Sequence, residues 1–495
     1  MARIVLDGES LTPGAVAAVA RDGEAVALAP AARARNADAR ATLAALLERG
    51  EDVYGATTGV GALRDRQIDP PDREQLQWNL LRSHAVDAGP ALPADVVRAA
   101  MVVRANQLGA GGAGVAEDLL DALVRALNQG RVPQVRQFGS LGTGDVAGLA
   151  QIALTLLGDG GSPHDQGTIR LGLRDAVGFT SSNAITIGRA ALLAEDLAAL
   201  HDCWLTVAAL SFEAAGADPV VLDERVHAAS RGGGQCVVAA RMRRLLSHAG
   251  AGIAGDASLS VAASTGQVAV MQLVQDPYPF RVLPQVDGVA SDALQSLHAV
   301  LVRELNVRGE NALIADERAW PNGNFHGAAL AAALDALRAA VAQSASLIAA
   351  RISCLLDPRL TGLPPFLAAE PGLQSGMMML EYTGQSAAAE ARALAAPMAA
   401  QAVGASLGVE SHGSLAATSA RYAAEQLDAV RVLVGTELVV AMRALELSRR
   451  VPRGAGTSRL FALARERLPA GLEDRRFSED VEAAVRLVAS WVPAA

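Results

Sequence analysis

Apolar residues recur every three or four positions along most of the chain, in long windows rich in alanine and leucine. This period places the apolar side chains on one face of an α-helix, and alanine and leucine have high helix propensities. The pattern predicts helices over residues 37–49, 93–108, 115–128, 187–215, 289–307, 327–356, 384–402, 415–449 and 479–491. Alternating patterns that indicate strands are few and short, at residues 2–6 and 25–28. The sequence therefore predicts a mainly α-helical protein.

Long alanine-rich helices with few aromatic residues pack closely against one another, usually as a bundle. Aromatic residues make up only 3% of this chain. The sequence contains neither a repeat of fixed period nor a low-complexity linker, so we predict a single body over residues 1–495. Because 51% of the residues are hydrophobic, part of the helix surface is expected to be buried between subunits.

The basic residues are all arginines: the chain has 43 lysine plus arginine residues, and none of them is a lysine. Enzymes that use pyridoxal phosphate bind it through a lysine Schiff base, and a Walker-type phosphate loop also needs its lysine. The composition therefore excludes both classes. With 52 acidic residues the formal net charge is -9, which argues against nucleic acids and anionic membranes as partners.

Cysteine usage and hydropathy indicate a soluble protein of the cytoplasm. The three cysteines, Cys203, Cys236 and Cys354, are too few and too scattered for a disulfide framework or a zinc cluster. The first residues have no apolar signal-peptide core. A stretch of about 18 uncharged apolar residues, as a membrane span requires, does not occur. The most apolar window, at 336–356, contains two arginines.

Two short patterns have the spacing of a cofactor or metal site without the context that such a site needs. Residues 109–114 read GAGGAG, but a predicted helix precedes them, and Gln134 stands where a dinucleotide site requires an acidic residue. We interpret them as a loop between helices. Glu410 and His412 have no matching cluster of histidines or cysteines, so we predict no metal site.

Four other segments combine glycines with chemically useful side chains. VYGATTGVGALRD places Tyr54 before a Thr/Gly-rich loop, which suits a lid that carries a phenolic base. LLRSHAVDAG contains His84, and VQDPYPFR contains Gln275, Tyr278 and Arg281, of which the arginine suits a carboxylate clamp. GSLGTGDV is a glycine turn that a predicted helix follows directly. The first N–H groups of such a helix stabilise negative charge near its start. Each segment also has a structural interpretation, as a surface loop, a structural histidine or a helix cap.

Taken in order, these segments and four further motifs resemble the histidine and phenylalanine ammonia-lyase family over nearly the whole chain. The further motifs are GFTSSNAIT around Asn183, ENALIADERAWPNGNFHG at 310–327, LPPFLAAEPGLQSGMMM at 363–379 and GVESHGS at 408–414. The resemblance implies a long-helix bundle of the ammonia-lyase/fumarase-like type. It also implies an intertwined homotetramer whose active sites combine loops from three subunits. The active-site loops are expected within residues 1–200, and the central and C-terminal bundle within residues 201–495.

The resemblance assigns roles to the residues that match the family's motifs. Tyr54 would take the β-proton of a small-molecule substrate, and Arg281 would hold the substrate carboxylate. The residues expected to line the pocket and to position the amine and the electrophile are Asn183, Gln275, Tyr278 and Phe325. His84 and Glu410 would face the substrate side chain, as in the histidine branch of the family. A carboxylate such as Glu410 can accept a hydrogen bond from an imidazole or another polar group.

The family's cofactor is 4-methylideneimidazol-5-one (MIO), which forms when an Ala-Ser-Gly triad of the chain cyclises and loses water. The family motif GSVGASGDL corresponds here to GSLGTGDV, which is one residue shorter and leaves Gly142, Thr143 and Gly144 as the triad. Threonine can in principle dehydrate as serine does, but its extra methyl group would shield the carbon that the amine attacks. The deletion also changes the turn, and cyclisation needs closely held geometry. No external cofactor is expected.

Three functions stay open at this point. In the first, a carbon–nitrogen lyase or 2,3-aminomutase acts on a carboxylate-bearing amino acid or a related substrate, with a MIO-like group formed from residues 142–144. In the second, MIO is absent and Tyr54 is the acid or base of an elimination, isomerisation or cyclisation, with the N–H groups of residues 144–146 stabilising an oxyanion. In the third, the chain is a catalytically inactive binding or structural homologue.

Overall fold

Helices dominate the fold, as a computed structural model shows for residues 3–158, 169–247 and 275–493. The N-terminal helices are α1 Pro13–Ala17, α2 Pro30–Glu48, α3 Arg73–His84, α4 Ala94–Gly109, α5 Glu117–Asn128, α6 Val146–Leu156, α7 Asp175–Thr180, α8 Ala184–Ala215, α9 Glu224–Ser230 and α10 Gly233–Leu246. The remaining helices are α11 Tyr278–Arg281, α12 Leu283–Leu305, α13 Ala328–Leu356, α14 Pro358–Thr361, α15 Met378–Ala393, α16 Ala416–Ser448, α17 Ala455–Arg467 and α18 Phe477–Ala489.

The strands are three or four residues long and form separate two-stranded pairs. The strands are β1 Ile4–Leu6, β2 Val26–Leu28, β3 Ala88–Ala91, β4 Arg136–Phe138, β5 Leu313–Ala315, β6 Arg318–Trp320, β7 Val403–Ala405 and β8 Glu410–Gly413. β1 pairs with β2 in parallel, with Ile4 opposite Val26, and the other three pairs are antiparallel. Both strands that the sequence predicts are found; residue 2 of the first lies outside the described residues.

All nine predicted helices are found, but three have wrong bounds. Helix α2 begins at Pro30 and not at residue 37, and α12 begins at Leu283 and not at residue 289. The sequence predicts a helix over 384–402, whereas α15 begins at Met378 and ends at Ala393. Pro397 lies inside the predicted range, and the residue directly before a proline is disfavoured in the helical conformation, so the helix could not continue to residue 402. In the glycine-rich segment 109–114, Gly109 ends α4 and the following residues form a loop, as predicted; Gly112 in this loop has a φ of 103°.

The chain divides into two compact units, which we call the loop unit and the bundle unit. The loop unit consists of Met1–Glu195, Ser296–Asp335 and Pro397–Arg421. The bundle unit consists of Asp196–Gln295, Ala336–Ala396 and Tyr422–Ala495. All eight strands of the described residues belong to the loop unit. A single body with its active-site loops within residues 1–200 stays a prediction.

An apolar cluster in the loop unit fixes the segment that carries Tyr54. Val53 and Ala56, on either side of Tyr54, are buried against Leu43 and Leu46 of α2. Burying a side chain such as valine or leucine contributes about 1.5–3 kcal/mol each. The backbone around Tyr54 is therefore held by packing that does not involve the phenol itself.

A bidentate ion pair is buried in the bundle unit. Arg351 of α13 donates to Glu437 of α16 with Nε–Oε1 and Nη2–Oε2 distances of 2.8 and 3.1 Å, and neither side chain is exposed. By length and composition alone, α13 could cross a membrane. Its two arginines, Arg338 and Arg351, are instead fully buried inside the protein, as in a core helix.

Asp287 of α12, near this ion pair, should make stability depend on pH. Burial raises the pKa of its carboxyl from 3.8 to about 6, and the charge of Arg351 opposes the rise. A carboxyl whose pKa is raised by folding favours the folded state while it is protonated. We therefore expect the free energy of unfolding to fall by about 3 kcal/mol as the pH rises from about 4 to about 6.

Replacing Asp287 with asparagine should remove this loss, because the amide does not ionise. Urea unfolding at about pH 4 and about pH 7 measures the effect. The free energy of unfolding of the variant should exceed that of the wild type most at the higher pH. Asp292→Asn removes an exposed carboxylate from the same helix and is the matched control. Equal pH dependence in the wild type and Asp287→Asn would contradict the expectation.

Candidate active site

Tyr54 lies half-buried in the turn-rich segment between α2 and α3. Its hydroxyl oxygen accepts a hydrogen bond from the Gly61 backbone N–H, with an N–O distance of 2.9 Å. Gly55 has a φ of 72°, and a Cβ atom there would lie 2.5 Å from Cγ2 of Val177. Only glycine tolerates both constraints, so the glycine after Tyr54 serves close packing of the loop.

Glu410 approaches the same loop from strand β8. A Cβ atom built on Gly61 would lie 2.8 Å from Ser406 Oγ and 3.7 Å from Glu410 Oε1. Ser406 Oγ also accepts a hydrogen bond from the Ala62 N–H at 3.1 Å. The Gly61 N–H also contacts the phenol of Tyr54. Tyr54, the predicted base, and Glu410, the predicted carboxylate, therefore both lie next to Gly61.

The Gly142–Thr143–Gly144 turn is hydrogen-bonded on both sides. The Gly144 N–H donates to Asn183 Oδ1 at 2.5 Å, and Ser414 Oγ donates to the Gly142 carbonyl oxygen at 2.7 Å. The Thr143 hydroxyl oxygen accepts a hydrogen bond from the Ser414 N–H at 2.7 Å and lies 3.1 Å from Ser414 Oγ. The oxygen that dehydration would have to expel is therefore held by Ser414, just before helix α16.

Asn183 and Phe325, both predicted to line the pocket, lie together at this turn. Asn183 Nδ2 donates to the Phe325 carbonyl oxygen, while its Oδ1 accepts from Gly144. The next residue, His326, offers its carbonyl oxygen to the Thr143 hydroxyl at 3.2 Å. The sequence-predicted residues of this part of the site are thus in mutual contact.

The backbone of this turn does not fit the alanine of an Ala-Ser-Gly precursor. Gly142 has a φ of 78°, and a Cβ atom there would lie 2.5 Å from the backbone nitrogen of Ala417 and 2.6 Å from that of Ala416. These atoms begin helix α16 and cannot move aside as a flexible side chain can. The shortened turn therefore adopts a conformation that the usual first residue of the triad could not occupy.

Helix α6 begins at Val146, directly after the turn, as the sequence predicts. Asp145 before it is fully buried and accepts a hydrogen bond from the Thr186 N–H at 2.7 Å. Burial raises the pKa of this carboxyl, and its hydrogen bonds oppose the rise. The N–H groups of Gly144 and Asp145 donate to Asn183 and, at 2.7 Å, to the Ser182 carbonyl oxygen. Both N–H groups thus have acceptors within the protein, and the oxyanion role of residues 144–146 stays a prediction.

His84 is the last residue of α3, and its described contacts are with its own helix. Its Nδ1 atom lies 2.7 Å from the Leu80 carbonyl oxygen and 3.1 Å from Ser83 Oγ. A carbonyl oxygen only accepts, so we assign the proton of the neutral ring to Nδ1. The structure thus supports the structural interpretation of His84 and leaves its contact with a substrate as a prediction.

Two histidines that the sequence analysis did not assign to the site lie beside the turn. His326 Nε2 is 2.9 Å from the His412 carbonyl oxygen and 3.2 Å from His412 Nδ1, with ring centroids 5.1 Å apart. His326 Nε2 therefore carries a proton, and His412 Nδ1 accepts. The GNFHG and ESHGS motifs contained both residues. Within residues 3–158, 169–247 and 275–493, no group of three or more His, Cys, Asp or Glu is placed to hold a metal ion.

The third group of predicted residues lies in the bundle unit, at the short helix α11. Arg281 Nη1 donates to Gln275 Oε1, and the guanidinium carbon lies 4.8 Å from the centre of the Tyr278 ring. The neighbouring Asp276 is buried; burial raises the pKa of its carboxyl, and Arg281 opposes the rise. Arg281 thus contacts both Gln275 and Tyr278, and the roles of these three residues at the site stay predictions.

The fold and these contacts can be set beside known proteins. A family model for aromatic amino acid lyases matches residues 11–466. The chain belongs to the aromatic amino acid lyase family. This lyase is 36% identical to the histidine ammonia-lyase of Anaeromyxobacter sp. (strain K), over 99% of this chain and 99% of that protein. Members of the family usually carry a self-formed MIO group.

Solved structures of related enzymes share the fold of this aromatic amino acid lyase. The ergothioneine-degrading enzyme ergothionase from Treponema denticola, in complex with desmethyl-ergothioneine sulfonic acid, is 25% identical with a TM-score of 0.89. The phenylalanine aminomutase of Pantoea agglomerans is 26% identical, also with a TM-score of 0.89. Each comparison covers 99% of both chains. The predicted family and fold class are confirmed, and the chain is a carbon–nitrogen lyase.

Proposed function

We propose that this protein eliminates an amine from a histidine-like substrate that bears a carboxylate, with Tyr54 as the base and without MIO. The observation that carries the proposal is the turn at Gly142, where a Cβ atom would lie 2.5 Å from the backbone of α16. Ser414 and Asn183 hold the groups of the turn that cyclisation would have to use. We propose that the turn stays an unmodified peptide that shapes the pocket.

The elimination needs a base near the β-carbon and an amine that leaves with its bonding electrons. The phenolate oxygen of Tyr54 takes the β-proton, the C–H electrons form the Cα–Cβ double bond, and the C–N bond breaks. The Gly61 N–H, 2.9 Å from the phenol oxygen, stabilises negative charge there before the proton is taken. The products are an acrylate and the released amine.

The polar groups around the base favour an imidazole-type side chain. Glu410 lies near Gly61, and His326 and His412 lie beside the turn. A carboxylate accepts the ring N–H of an imidazole, and a site built to bond such a group rejects analogues that lack it. His84, Asn183, Gln275, Tyr278 and Phe325 keep the roles that the resemblance implies, as predictions, and Arg281 remains the predicted carboxylate clamp.

Whether the substrate nitrogen is a free amine or a quaternary ammonium decides how easily it leaves without MIO. A free amino group becomes a poor leaving group when it loses a proton, whereas a quaternary ammonium has no proton to lose and departs as a neutral tertiary amine. Ergothioneine, which the Treponema enzyme degrades, is such a histidine-derived betaine. We therefore propose an imidazole-bearing betaine as the substrate class. A homotetramer in the cytoplasm remains a prediction.

A second candidate function follows from the 36% identity to histidine ammonia-lyases. In it, the Gly142–Thr143–Gly144 turn would form a MIO-like group, and the enzyme would release ammonia from free histidine or act as a 2,3-aminomutase. The phenylalanine aminomutase of similar fold supports the mutase variant of this candidate.

Substrate trials separate the two candidates. The purified full-length chain is incubated with histidine betaine, ergothioneine, L-histidine, L-tyrosine and L-phenylalanine, and the conjugated acrylate absorbance and the released amine are measured. We expect turnover of a betaine and release of a tertiary amine. Ammonia release from a free amino acid would favour the second candidate, and binding without turnover of all five would favour an inactive homologue.

A further inference from the structure

A buried cluster of two arginines and one glutamate lies next to the Tyr54 loop, within the loop unit. Arg104, Arg174 and Glu310 are at most 1% exposed. Arg104 Nη1 lies 3.3 Å from Glu310 Oε1, and Glu310 also interacts electrostatically with Arg174. One carboxylate therefore faces two guanidinium groups, so the cluster carries an excess positive charge away from water.

Arg174 connects this charge to Tyr54. Its Nε atom donates a hydrogen bond to the Tyr54 carbonyl oxygen at 2.9 Å, and its Nη2 atom donates to the Asn311 carbonyl oxygen. Its Nη1 atom is buried without a hydrogen-bond partner in the described structure. Burial lowers the pKa of Arg174 to about 10, while the charges of Glu310 and Tyr54 oppose the fall. A buried positive charge is thus hydrogen-bonded to the backbone of Tyr54.

Other polar groups also approach the phenol. The Gly61 N–H donates to its oxygen and favours negative charge there, whereas the nearby carboxylate of Glu410 disfavours it. Arg64, which is exposed, reaches the Gly61 carbonyl oxygen at 3.4 Å. Arg174 differs from these groups because it is buried, and buried charges are screened much less by water and salt than exposed ones.

The same cluster continues to the shortened turn. Arg104 Nη1 lies 3.4 Å from Gln107 Oε1, which accepts a hydrogen bond from Ser182 Oγ at 2.5 Å. The Ser182 carbonyl oxygen in turn accepts from the Asp145 N–H at 2.7 Å. One buried polar network therefore contacts both the loop of the base and the turn.

We propose that Arg174 is a positioning residue for Tyr54. It fixes the loop through the Tyr54 carbonyl oxygen, and its buried positive charge favours the phenolate that takes the substrate proton. The phenolic proton leaves to solvent before the substrate binds. The assignment of Tyr54 as the base rests on the proposed function, whereas the electrostatic link to Arg174 does not.

A spectroscopic titration tests this link without any turnover. The chain has only four tyrosines, so the ultraviolet difference between the wild type and Tyr54→Phe isolates the ionisation of Tyr54. In Arg174→Met, whose side chain is uncharged and of similar length, we expect this signal to move about one pH unit higher. Arg174→Lys keeps the charge and should leave the signal near its wild-type position. Glu310→Gln removes the opposing charge and should move it lower.

Arg98→Met is the matched control. Arg98 also holds backbone carbonyl oxygens, those of Val19, Ala20 and Leu127, in the same unit. Arg98→Met should lower the free energy of unfolding without moving the Tyr54 signal. If Arg174 had only a structural role, Arg174→Met would give the same result. An unmoved signal in Arg174→Met overturns the proposal, and if that variant does not fold, an unmoved signal in Glu310→Gln overturns it.

Activity provides an independent outcome. If Tyr54 is the base, the acidic limb of the pH profile of kcat/KM should move higher in Arg174→Met by the same amount as the titration. A moved titration with an unmoved profile would support the electrostatic link and contradict the role of Tyr54. The failure of one proposal is therefore distinguishable from the failure of the other.

Discussion

Replacing Tyr54 with phenylalanine is expected to lower kcat by about 10²- to 10⁴-fold, which is the usual contribution of a positioned general base. The variant lacks the oxygen that we propose as the acceptor of the β-proton, while the packing of Val53 and Ala56 against α2 keeps the loop in place. Substrate binding should change little, because the phenol contributes to the proton transfer and not to holding the carboxylate. Steady-state kinetics with the best substrate found, and calorimetric binding of that substrate, measure the two quantities.

The matched control removes a tyrosine hydroxyl from another part of the chain and tests whether the effect is specific to Tyr54. Tyr382 lies on α15 of the bundle unit and is 64% exposed, so Tyr382→Phe should retain wild-type kinetics. An unchanged kcat in Tyr54→Phe would contradict the assignment of the base, whether or not MIO is present. A loss of binding with normal kcat would instead make Tyr54 a binding residue.

Neutralising Glu437 as glutamine is expected to lower the free energy of unfolding by about 3–5 kcal/mol. Glu437 accepts two hydrogen bonds from Arg351 and one from Ser211 Oγ at 2.7 Å, and both members of the ion pair are fully buried. Removing the carboxylate charge leaves the Arg351 cation in the core with a weakened partner. Urea unfolding at about pH 7 measures the change.

The double variant Arg351→Met, Glu437→Leu separates the charge from the packing. Both ions are then replaced by apolar side chains, so no uncompensated charge stays buried, and much of the lost stability should return. The coupling energy of the cycle should be large and favourable to the pair. A loss below about 1 kcal/mol in Glu437→Gln would show that water reaches this pair in solution.

The helices and the grouping of several site residues could be predicted from sequence because they depend on local patterns. Periodic apolar residues predict α16 within a residue at each end, and the Gln275–Arg281 contact joins neighbours in the chain. A glycine turn before an amphipathic run predicts that a helix follows the turn, and α6 does follow it, from Val146. In each case the relevant interactions lie within a few residues, so a single segment contains the information.

The sequence could not show interactions between distant segments. Arg174 donates to the backbone of Tyr54 across 120 positions, and nothing in LGLRDAVGF marks that arginine as buried. The steric limit at Gly142 depends on the start of α16, and the shortened motif alone leaves the turn's conformation open. His326 was missed for the same reason, because its partner His412 lies 86 positions away. Packing in three dimensions, and not local propensity, decides these contacts.

The mass of one tryptic peptide tests most directly whether this lyase works without MIO. Because the chain has no lysine, trypsin cleaves at Arg136 and Arg170 and releases residues 137–170 with the whole turn. Cyclisation and dehydration would make this peptide lighter by two water molecules. In a preparation that turns over its substrate, we predict the unmodified mass. A complete loss of two waters in such a preparation would contradict the account and establish a threonine-derived MIO-like group.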